Sequence, residues 1–130
     1  MNFGSTPRTH VLVVDDCPAT RELLGIILSG EGYEVTSASD GQLALDRLRD
    51  RLRPDLVLLD LVMPGVDGWE FLERKNRDPE LAHIPVIILS GVGDEVTDVR
   101  RLGAVCSIPK PIPEDALIDS VVGAIRSHVA

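Results

Sequence analysis

Three aspartates stand at the points where runs of apolar residues end. Asp15 and Asp16 follow the apolar residues 11–14, and Asp60 follows the apolar residues 56–59. Mg²⁺ takes carboxylate oxygens as ligands, and carboxylates that crowd together repel one another unless a cation joins them. The chemistry that these residues could carry is therefore the binding of a divalent cation, provided that the fold brings them together.

Two further polar residues occupy similar positions. Ser90 follows the apolar residues 86–89, and Lys110 lies between Pro109 and Pro111. Alone, an aspartate after a strand is commonly a turn residue or a helix cap, and a lysine between prolines is commonly part of a rigid surface loop. In combination, a hydroxyl and a compact ammonium beside clustered carboxylates indicate a site for a divalent cation and a phosphoryl group, whose oxygens a lysine neutralises as a point charge.

The apolar runs predict how these polar residues are positioned. Unbroken runs such as residues 11–14, 56–59 and 86–89 are typical of strands that are buried on both faces of a parallel sheet. In open α/β sheets, ligands bind beyond the carboxyl ends of the strands. We therefore expect the aspartates, the serine and the lysine to meet at one rim of such a sheet.

Helical patterns alternate with the strands, which predicts an α/β fold with a parallel sheet and helices on both faces. The second strand alternates apolar and polar residues and should lie at the sheet edge. We predict a flexible tail at residues 1–8 and one domain at residues 9–128. The predicted strands are residues 9–14, 33–38, 56–59, 85–90 and 104–108, and the predicted helices are residues 18–30, one capped by Asp40, residues 69–77, residues 94–102, and one that opens at Pro113.

Apolar residues at helical spacing predict which helix faces are buried. The candidates are Leu23, Leu24, Ile27 and Leu28 in the first helix, Ala44, Leu45, Leu48 and Leu52 in the second, and Trp69, Phe71 and Leu72 in the third. The aromatic residues are interpreted as core or partly buried side chains.

Composition limits the classes of partner. The net charge is −8 and no block of Lys or Arg is present, which argues against direct nucleic-acid binding. No apolar run approaches the ~20 residues that a membrane span needs, and the first residues lack a secretory signal, so we expect a cytoplasmic protein that binds no membrane.

The two cysteines indicate neither a metal site nor a disulfide framework. Cys17 and Cys106 lack the spacing that either would need, and we interpret them as small buried or half-buried thiols.

Taken together and in order, the motifs resemble the receiver domain of two-component response regulators. The resemblance extends from about residue 9 to residue 126, and the motifs that carry it are Asp15-Asp16, Asp60, Met63-Pro64-Gly65 with Asp67-Gly68, Ser90 and Lys110-Pro111. It implies a doubly wound, five-stranded parallel sheet in the flavodoxin-like order 2-1-3-4-5.

The resemblance also implies partners and a metal. Asp60 would take a phosphoryl group from a phosphohistidine on a sensor histidine kinase or a histidine phosphotransfer protein, and the signal would pass to a downstream protein target. Mg²⁺, or Mn²⁺ in its place, would be bound by Asp15, Asp16, Asp60 and the backbone carbonyl of Val62. The protein would assist its own phosphorylation and dephosphorylation without being a turnover enzyme.

The remaining implied roles concern the phosphoryl group. Lys110 would pair with one phosphoryl oxygen, and the Ser90 hydroxyl and the Gly91 amide would hold the others. The bond between Lys110 and Pro111 would be cis, a state that only ~5–6% of X–Pro bonds adopt in folded proteins.

Two features depart from the family pattern. Ser107 stands where the family usually has Tyr or Phe, and residues 90–103 form a shorter segment than in typical receivers. The fourth helix should therefore be short or displaced, and we expect the output to rely on the Ser90 loop and this shortened helix.

Three other functions were considered for this sequence. The first is that of a degenerate receiver, which would bind partners without being phosphorylated. A phosphatase or phosphotransferase with an aspartyl nucleophile is disfavoured because Val62 cannot protonate a leaving group. A flavodoxin-like flavin carrier is disfavoured because Asp15 and Asp16 would repel a phosphate after the first strand.

Overall fold

A computed structural model of the protein describes residues 8–91 and 99–129. Most of the predicted tail, residues 1–7, lies outside this part of the chain. The strands are β1 (His10–Val14), β2 (Glu34–Ala38), β3 (Leu56–Asp60), β4 (Val86–Ser90) and β5 (Cys106–Pro109). The α-helices of the described ranges are α1 (Pro18–Gly30), α2 (Gly41–Arg49), α3 (Gly68–Arg77) and α4 (Glu114–Val129), and a 3₁₀ helix spans Val99–Leu102.

The five strands form one parallel sheet in the order β2-β1-β3-β4-β5. This is the order that the resemblance implied, and the prediction is confirmed. Among the described strands, β2 pairs only with β1 and so lies at an edge, as its alternating sequence predicted. The strand order reverses between β1 and β3, and open α/β sheets bind ligands at such a point.

Both faces of the sheet are buried, as the unbroken apolar runs predicted. In β1, Leu12 and Val14 belong to one apolar cluster and Val11 and Val13 to the other. All five residues of β3 are buried. The first cluster is covered by α2 and α3, and the second by α1 and α4. The central strands are therefore packed on both faces beneath their carboxyl ends.

Side chains at the helix starts fix where the helices begin. The Asp40 carboxylate accepts a hydrogen bond from the N–H of Leu43 at 2.8 Å, which confirms the predicted cap of α2. The Asp67 carboxylate accepts from the N–H of Glu70 at 3.0 Å at the start of α3. Pro18 lies in the first turn of α1, where its missing N–H costs nothing.

Two leucines do not lie where helical spacing predicted. Leu23 is 52% exposed. The buried stripe of α1 runs through Leu24 and Leu28, and successive residues of a helix point about 100° apart. Leu52 is not part of α2, which ends at Arg49; it packs against the core from the following loop.

The predictions for Trp69 and Cys17 also need correction. Trp69 is 43% exposed because the buried face of α3 is formed by residues such as Phe71 and Leu72. Cys17 is exposed because it precedes α1 in the loop above the sheet rim. Cys106 is partly buried on β5, as predicted.

The predicted helix at residues 94–102 is described only in part. Residues 94–98 lie outside the described residues, and the remainder forms the 3₁₀ helix. Gly103 follows with φ +80°, the left-handed conformation that commonly ends a helix. Neither this helix nor any other in the described ranges is long and apolar enough to cross a membrane.

Candidate functional site

Strand pairing brings the three predicted aspartates together. Val14 of β1 lies opposite Leu59 of β3, so the next residues, Asp15 and Asp60, are neighbours at the rim. One carboxylate oxygen from each of Asp15, Asp16 and Asp60 lies within 4.8 Å of the other two. Asp15 is fully buried, Asp60 is 4% exposed and Asp16 is exposed. The cluster is therefore closed towards the core and open towards solvent.

Lys110 brings a positive charge to this cluster from the end of β5. Its Nζ donates a hydrogen bond to Asp15 Oδ2 at 2.8 Å and lies 3.5 Å from Asp60 Oδ2. Its backbone N–H donates to the Ser90 carbonyl at 2.7 Å, which ties the end of β5 to β4. The peptide bond between Lys110 and Pro111 is cis. The ammonium thus lies between two carboxylates.

Ser90 and Gly91 lie at the end of the adjacent strand. Asp60 of β3 is opposite Leu89 of β4, so Ser90 extends one residue beyond Asp60 at the same rim. Ser90 and Gly91 are both partly buried. The rim therefore carries Ser90 and Gly91 in addition to Lys110 and the three aspartates that the sequence singled out.

The loop after β3 folds back onto Asp60. The N–H of Val62 donates to Asp60 Oδ1 at 3.3 Å, and the N–H of Gly68 donates to the Leu61 carbonyl at 2.9 Å. A Cβ on Gly68 would lie 2.5 Å from the carbonyl oxygen of Asp60, so the start of α3 requires glycine. The Val62 backbone is held near the acidic cluster while its side chain is 60% exposed.

The charges in the cluster perturb one another. Burial, together with the negative charge of Asp15, raises the pKa of Asp60 from 3.8 to about 6, although Lys110 acts in the opposite direction. Burial lowers the pKa of Lys110, but the hydrogen bond and charge of Asp15 and the charge of Asp60 outweigh this, and the pKa lies above its ordinary value. An additional cation would relieve the repulsion between the carboxylates.

Two groups that hold Asp15 were not predicted from the sequence. The backbone N–H of Cys17 donates to Asp15 Oδ1 at 2.9 Å, and Arg21 Nη1 donates to the Asp15 carbonyl at 2.8 Å. Arg21 lies near the start of α1, where the helix dipole disfavours a cation. A cation at that unfavourable position was the available sequence signal, because it indicates a partner nearby.

The donor set fits a hard divalent cation. Asp15, Asp16 and Asp60 offer carboxylate oxygens in one cluster, and oxygen ligands are those that Mg²⁺ and similar ions prefer. When ionised, the three carboxylates outweigh the single charge of Lys110. The cluster is therefore an acidic site that could hold a metal ion.

A family model and several relatives of known sequence match most of this chain. Residues 11–122 match the response regulator receiver domain. Sporulation initiation phosphotransferase F of Bacillus subtilis is 40% identical over 113 residues, which cover 85% of this chain and 89% of that protein. The DNA-binding response regulator MtrA of Mycolicibacterium smegmatis is 38% identical over 125 residues, 95% of this chain but 53% of that protein. For the response regulator PleD of Caulobacter vibrioides, the match is 40% over 120 residues, 90% of this chain and 26% of that protein. The chain thus spans about half of MtrA and about a quarter of PleD.

Solved structures agree with this assignment. A putative response regulator from Chloroflexus aurantiacus superposes with a TM-score of 0.85 at 30% identity, covering 92% of this chain and 99% of that chain. A response regulator receiver protein from Pseudomonas putida superposes with a TM-score of 0.84 at 30% identity and the same coverage. The match in sequence and in fold extends over most of the chain, and the acidic rim lies within it. The chain belongs to the response regulator receiver domain family of two-component systems.

Proposed function

We propose that Asp60 accepts a phosphoryl group in a metal-dependent reaction and that the protein acts as a signalling switch through contacts with other proteins. The observation that carries this proposal is the cluster of charged groups at the rim. One carboxylate oxygen from each of Asp15, Asp16 and Asp60 lies within 4.8 Å of the other two. Lys110 Nζ forms a salt bridge with Asp15 Oδ2 at 2.8 Å. The proposed donor is a phosphohistidine on a sensor histidine kinase or a histidine phosphotransfer protein. A cytoplasmic location goes with such a donor.

In the proposed reaction, a carboxylate oxygen of Asp60 forms a bond to phosphorus while the phosphorus–nitrogen bond of the donor breaks. The electron pair of that bond stays on the imidazole nitrogen, which takes up a proton, and Asp60 becomes an acyl phosphate. Such transition states are loose and in line, so the protein mainly positions groups and stabilises charge. Lys110 would neutralise one phosphoryl oxygen, and the Ser90 hydroxyl and the Gly91 amide would donate hydrogen bonds to the others.

The proposed metal is Mg²⁺, with Mn²⁺ as a substitute. Asp15, Asp16, Asp60 and the Val62 carbonyl would hold it. When bound, a divalent ion supplies positive charge that offsets the repulsion between an anionic donor and the carboxylates. The raised pKa of Asp60, about 6, supports this assignment because burial and the negative charge of Asp15 outweigh the positive charge of Lys110.

The acyl phosphate is proposed to persist as a signal instead of being an intermediate in turnover. A phosphatase with an aspartyl nucleophile needs an acid that protonates the leaving group, and Val62 offers an exposed apolar side chain at the expected position. A flavin carrier would place a phosphate above β1, where Asp15 and Asp16 would repel it.

An apolar groove beside the rim is suited to the donor protein. Leu23 and Ile26 are 52% and 65% exposed on α1, and contiguous exposed apolar surface is typical of sites that bind proteins. A partner packed there would lie against Lys110 and close to Asp60. The groove has a volume of about 430 Å³ and is lined by Thr20, Leu23, Leu24, Lys110, Pro111 and Ile112.

Incubation with acetyl phosphate and Mg²⁺ tests the proposal. The intact mass should increase by one phosphoryl group, and it should stay unchanged in Asp60→Asn or when EDTA is present. Asp50→Asn is a matched control because Asp50 is an exposed aspartate after α2, and this variant should be modified like the wild type. A folded wild type that is never modified, and whose spectrum does not respond to beryllofluoride with Mg²⁺, would support the degenerate receiver instead.

Output is proposed to use the Ser90 loop and the 3₁₀ helix, because the usual aromatic switch residue is replaced by the exposed Ser107. Asn76 Nδ2 donates to the Leu102 carbonyl at 3.0 Å, which connects α3 to the 3₁₀ helix. Amide spectra of the phosphorylated and free protein should therefore differ within residues 90–110. Identical spectra over that range would contradict this output route.

A further inference from the structure

The loop at residues 61–67 is held by a backbone hydrogen bond at each end. The carbonyl of Leu61 accepts from the N–H of Gly68 at 2.9 Å, and the carbonyl of Val66 accepts from the N–H of Gly41 at 3.0 Å. The first anchor belongs to the helix that directly continues the loop. The second comes from elsewhere in the chain, since Gly41 is the first residue of α2.

The contact between Gly41 and Val66 leaves no room for a side chain. A Cβ at Gly41 would lie 2.4 Å from the carbonyl oxygen of Val66 and 2.8 Å from its Cγ1. The φ of Gly41 is outside the left-handed region, so the backbone conformation itself would accept an alanine. Alanine is excluded only by the close contact with Val66. Restoring an ordinary contact of 3.4 Å to the Val66 oxygen would require a displacement of about 1 Å.

Such a displacement would reach the acidic rim. Val62 lies in the same loop, and its N–H donates to Asp60 Oδ1 at 3.3 Å. The neighbouring Leu61 is fully buried, follows β3 directly and is hydrogen-bonded to Gly68. Only residues 62–65 lie between it and Val66, so a displacement of Val66 should also move Val62. Mg²⁺ demands near-ideal octahedral geometry, and a misplacement of ~1 Å in a positioned group can cost ~10²-fold in function.

We propose that Gly41 is a positioning residue for the metal site. Gly41, the first residue of α2, has no side chain, and residues 61–67 can therefore approach it closely. In that position the Val62 carbonyl and the Asp60 carboxylate can share one cation. Gly41 touches neither the cation nor the phosphoryl group and acts through Val66. This inference rests on the proposed function, since it takes Val62 and Asp60 as ligands.

The test is Mg²⁺ affinity in Gly41→Ala at a temperature where circular dichroism shows the variant to be folded. Trp69 is the only tryptophan and lies at the start of α3, beside the loop, so its fluorescence is a suitable signal. Groups that orient metal ligands typically contribute about 10- to 100-fold in affinity, and we expect a loss of that size. Gly123→Ala is the matched control, because a Cβ at Gly123 would meet no atom of the described residues within 4 Å. Its affinity should equal that of the wild type.

A measurement on the wild type removes the dependence on a variant that folds poorly. Coupling between two sites is reciprocal, so Mg²⁺ should slow hydrogen exchange at the Gly41 amide. Exchange that is indifferent to Mg²⁺, or equal Mg²⁺ affinity in Gly41→Ala and the wild type, would overturn the inference and leave the proposed function standing. A wild type that binds no Mg²⁺ would overturn both.

Discussion

The chain has two lysines, and their surroundings differ. Lys110, at the sheet rim, has carboxylate oxygens of Asp15 and Asp60 at 2.8 and 3.5 Å. Burial lowers its pKa, but these carboxylates raise it above the ordinary value. Lys75, on α3, is fully buried and its Nζ donates to the Ala82 carbonyl at 3.2 Å. There, burial lowers the pKa from 10.5 to about 8.

The difference distinguishes a buried lysine that is paired with carboxylates, Lys110, from one that has a backbone carbonyl as its hydrogen-bond acceptor, Lys75. At the rim, carboxylates offset the cost of burying Lys110, and their excess negative charge suits a further cation. Under α3, Lys75 lies on the same helix face as the buried Phe71 and Leu72, where an ammonium is costly unless an opposite charge accompanies it. Burial of one charge alone therefore does not indicate a site; several opposite charges buried at short distance are a stronger indication.

Lys110→Met should have the largest effect, because it removes the positive charge beside the proposed phosphoryl site at similar side-chain length. Loss of one such electrostatic group typically costs 10²- to 10³-fold. We expect phosphorylation by acetyl phosphate to slow by about 100-fold or more, measured as intact mass against time, while Mg²⁺ binding persists. Lys75→Met is the control and should react at the wild-type rate. Equal rates in the two variants would remove the distinction between the lysines.

Lys75→Met should stabilise the protein at neutral pH. The pKa is about 8 in the folded state against an ordinary 10.5, so below pH 8 both states are protonated and the folded state carries the full cost of burial. As pH rises from 8 to 10.5, the folded wild type loses the proton first and gains stability. The pKa difference corresponds to roughly 3 kcal/mol. Urea unfolding should show a gain of this order at pH 7 that shrinks by pH 10; a gain independent of pH would contradict the explanation.

Asp60→Asn should also stabilise the metal-free protein at neutral pH. The pKa of Asp60 is raised from 3.8 to about 6, so its contribution to stability is fully present below pH 3.8 and is lost as pH rises through 6. We expect the variant to be more stable by on the order of 2 kcal/mol at pH 7 in EDTA. The gap should close near pH 4, and Mg²⁺ should narrow it at pH 7 by stabilising the wild type. A gap that Mg²⁺ leaves unchanged would argue against a cation at this rim.

Arg77→Ala should have the smallest effect. Arg77 pairs with Glu73 at 2.6 Å, but both side chains are more than half exposed, and exposed helix pairs contribute about 0.5 kcal/mol or less. Chemical denaturation should place the variant within that range of the wild type. A change as large as that of Lys75→Met would mean that burial does not explain how the cations of α3 differ.

Much of the fold and the rim followed from the sequence because the relevant signals are local. Residues 11–14 and 56–59 are unbroken apolar runs, and a parallel sheet places whatever follows such runs at one rim. Asp15, Asp16 and Asp60 come together for that reason. The edge position of β2 followed in the same way from its alternating residues.

Other features depend on packing that no local pattern encodes. Leu23 and Trp69 were predicted to be more buried than they are. Helical spacing shows where the centre of a buried helix face lies but not how far that face extends around the helix. Gly41 was missed because its partner is the backbone carbonyl of Val66, which comes from another segment. Lys75 was likewise not singled out, since a single lysine in a helix is ordinarily assigned to the solvent face.

Borohydride reduction after phosphorylation tests the central claim most directly. Hydride converts an acyl phosphate to an alcohol with release of phosphate, so a phosphorylated aspartate becomes homoserine and peptide mass spectrometry can locate it. Homoserine should appear at position 60 after treatment with acetyl phosphate and Mg²⁺, and at no position when EDTA replaces the metal. Homoserine at a different aspartate, or none in a protein that has gained phosphate, would contradict the assignment of Asp60.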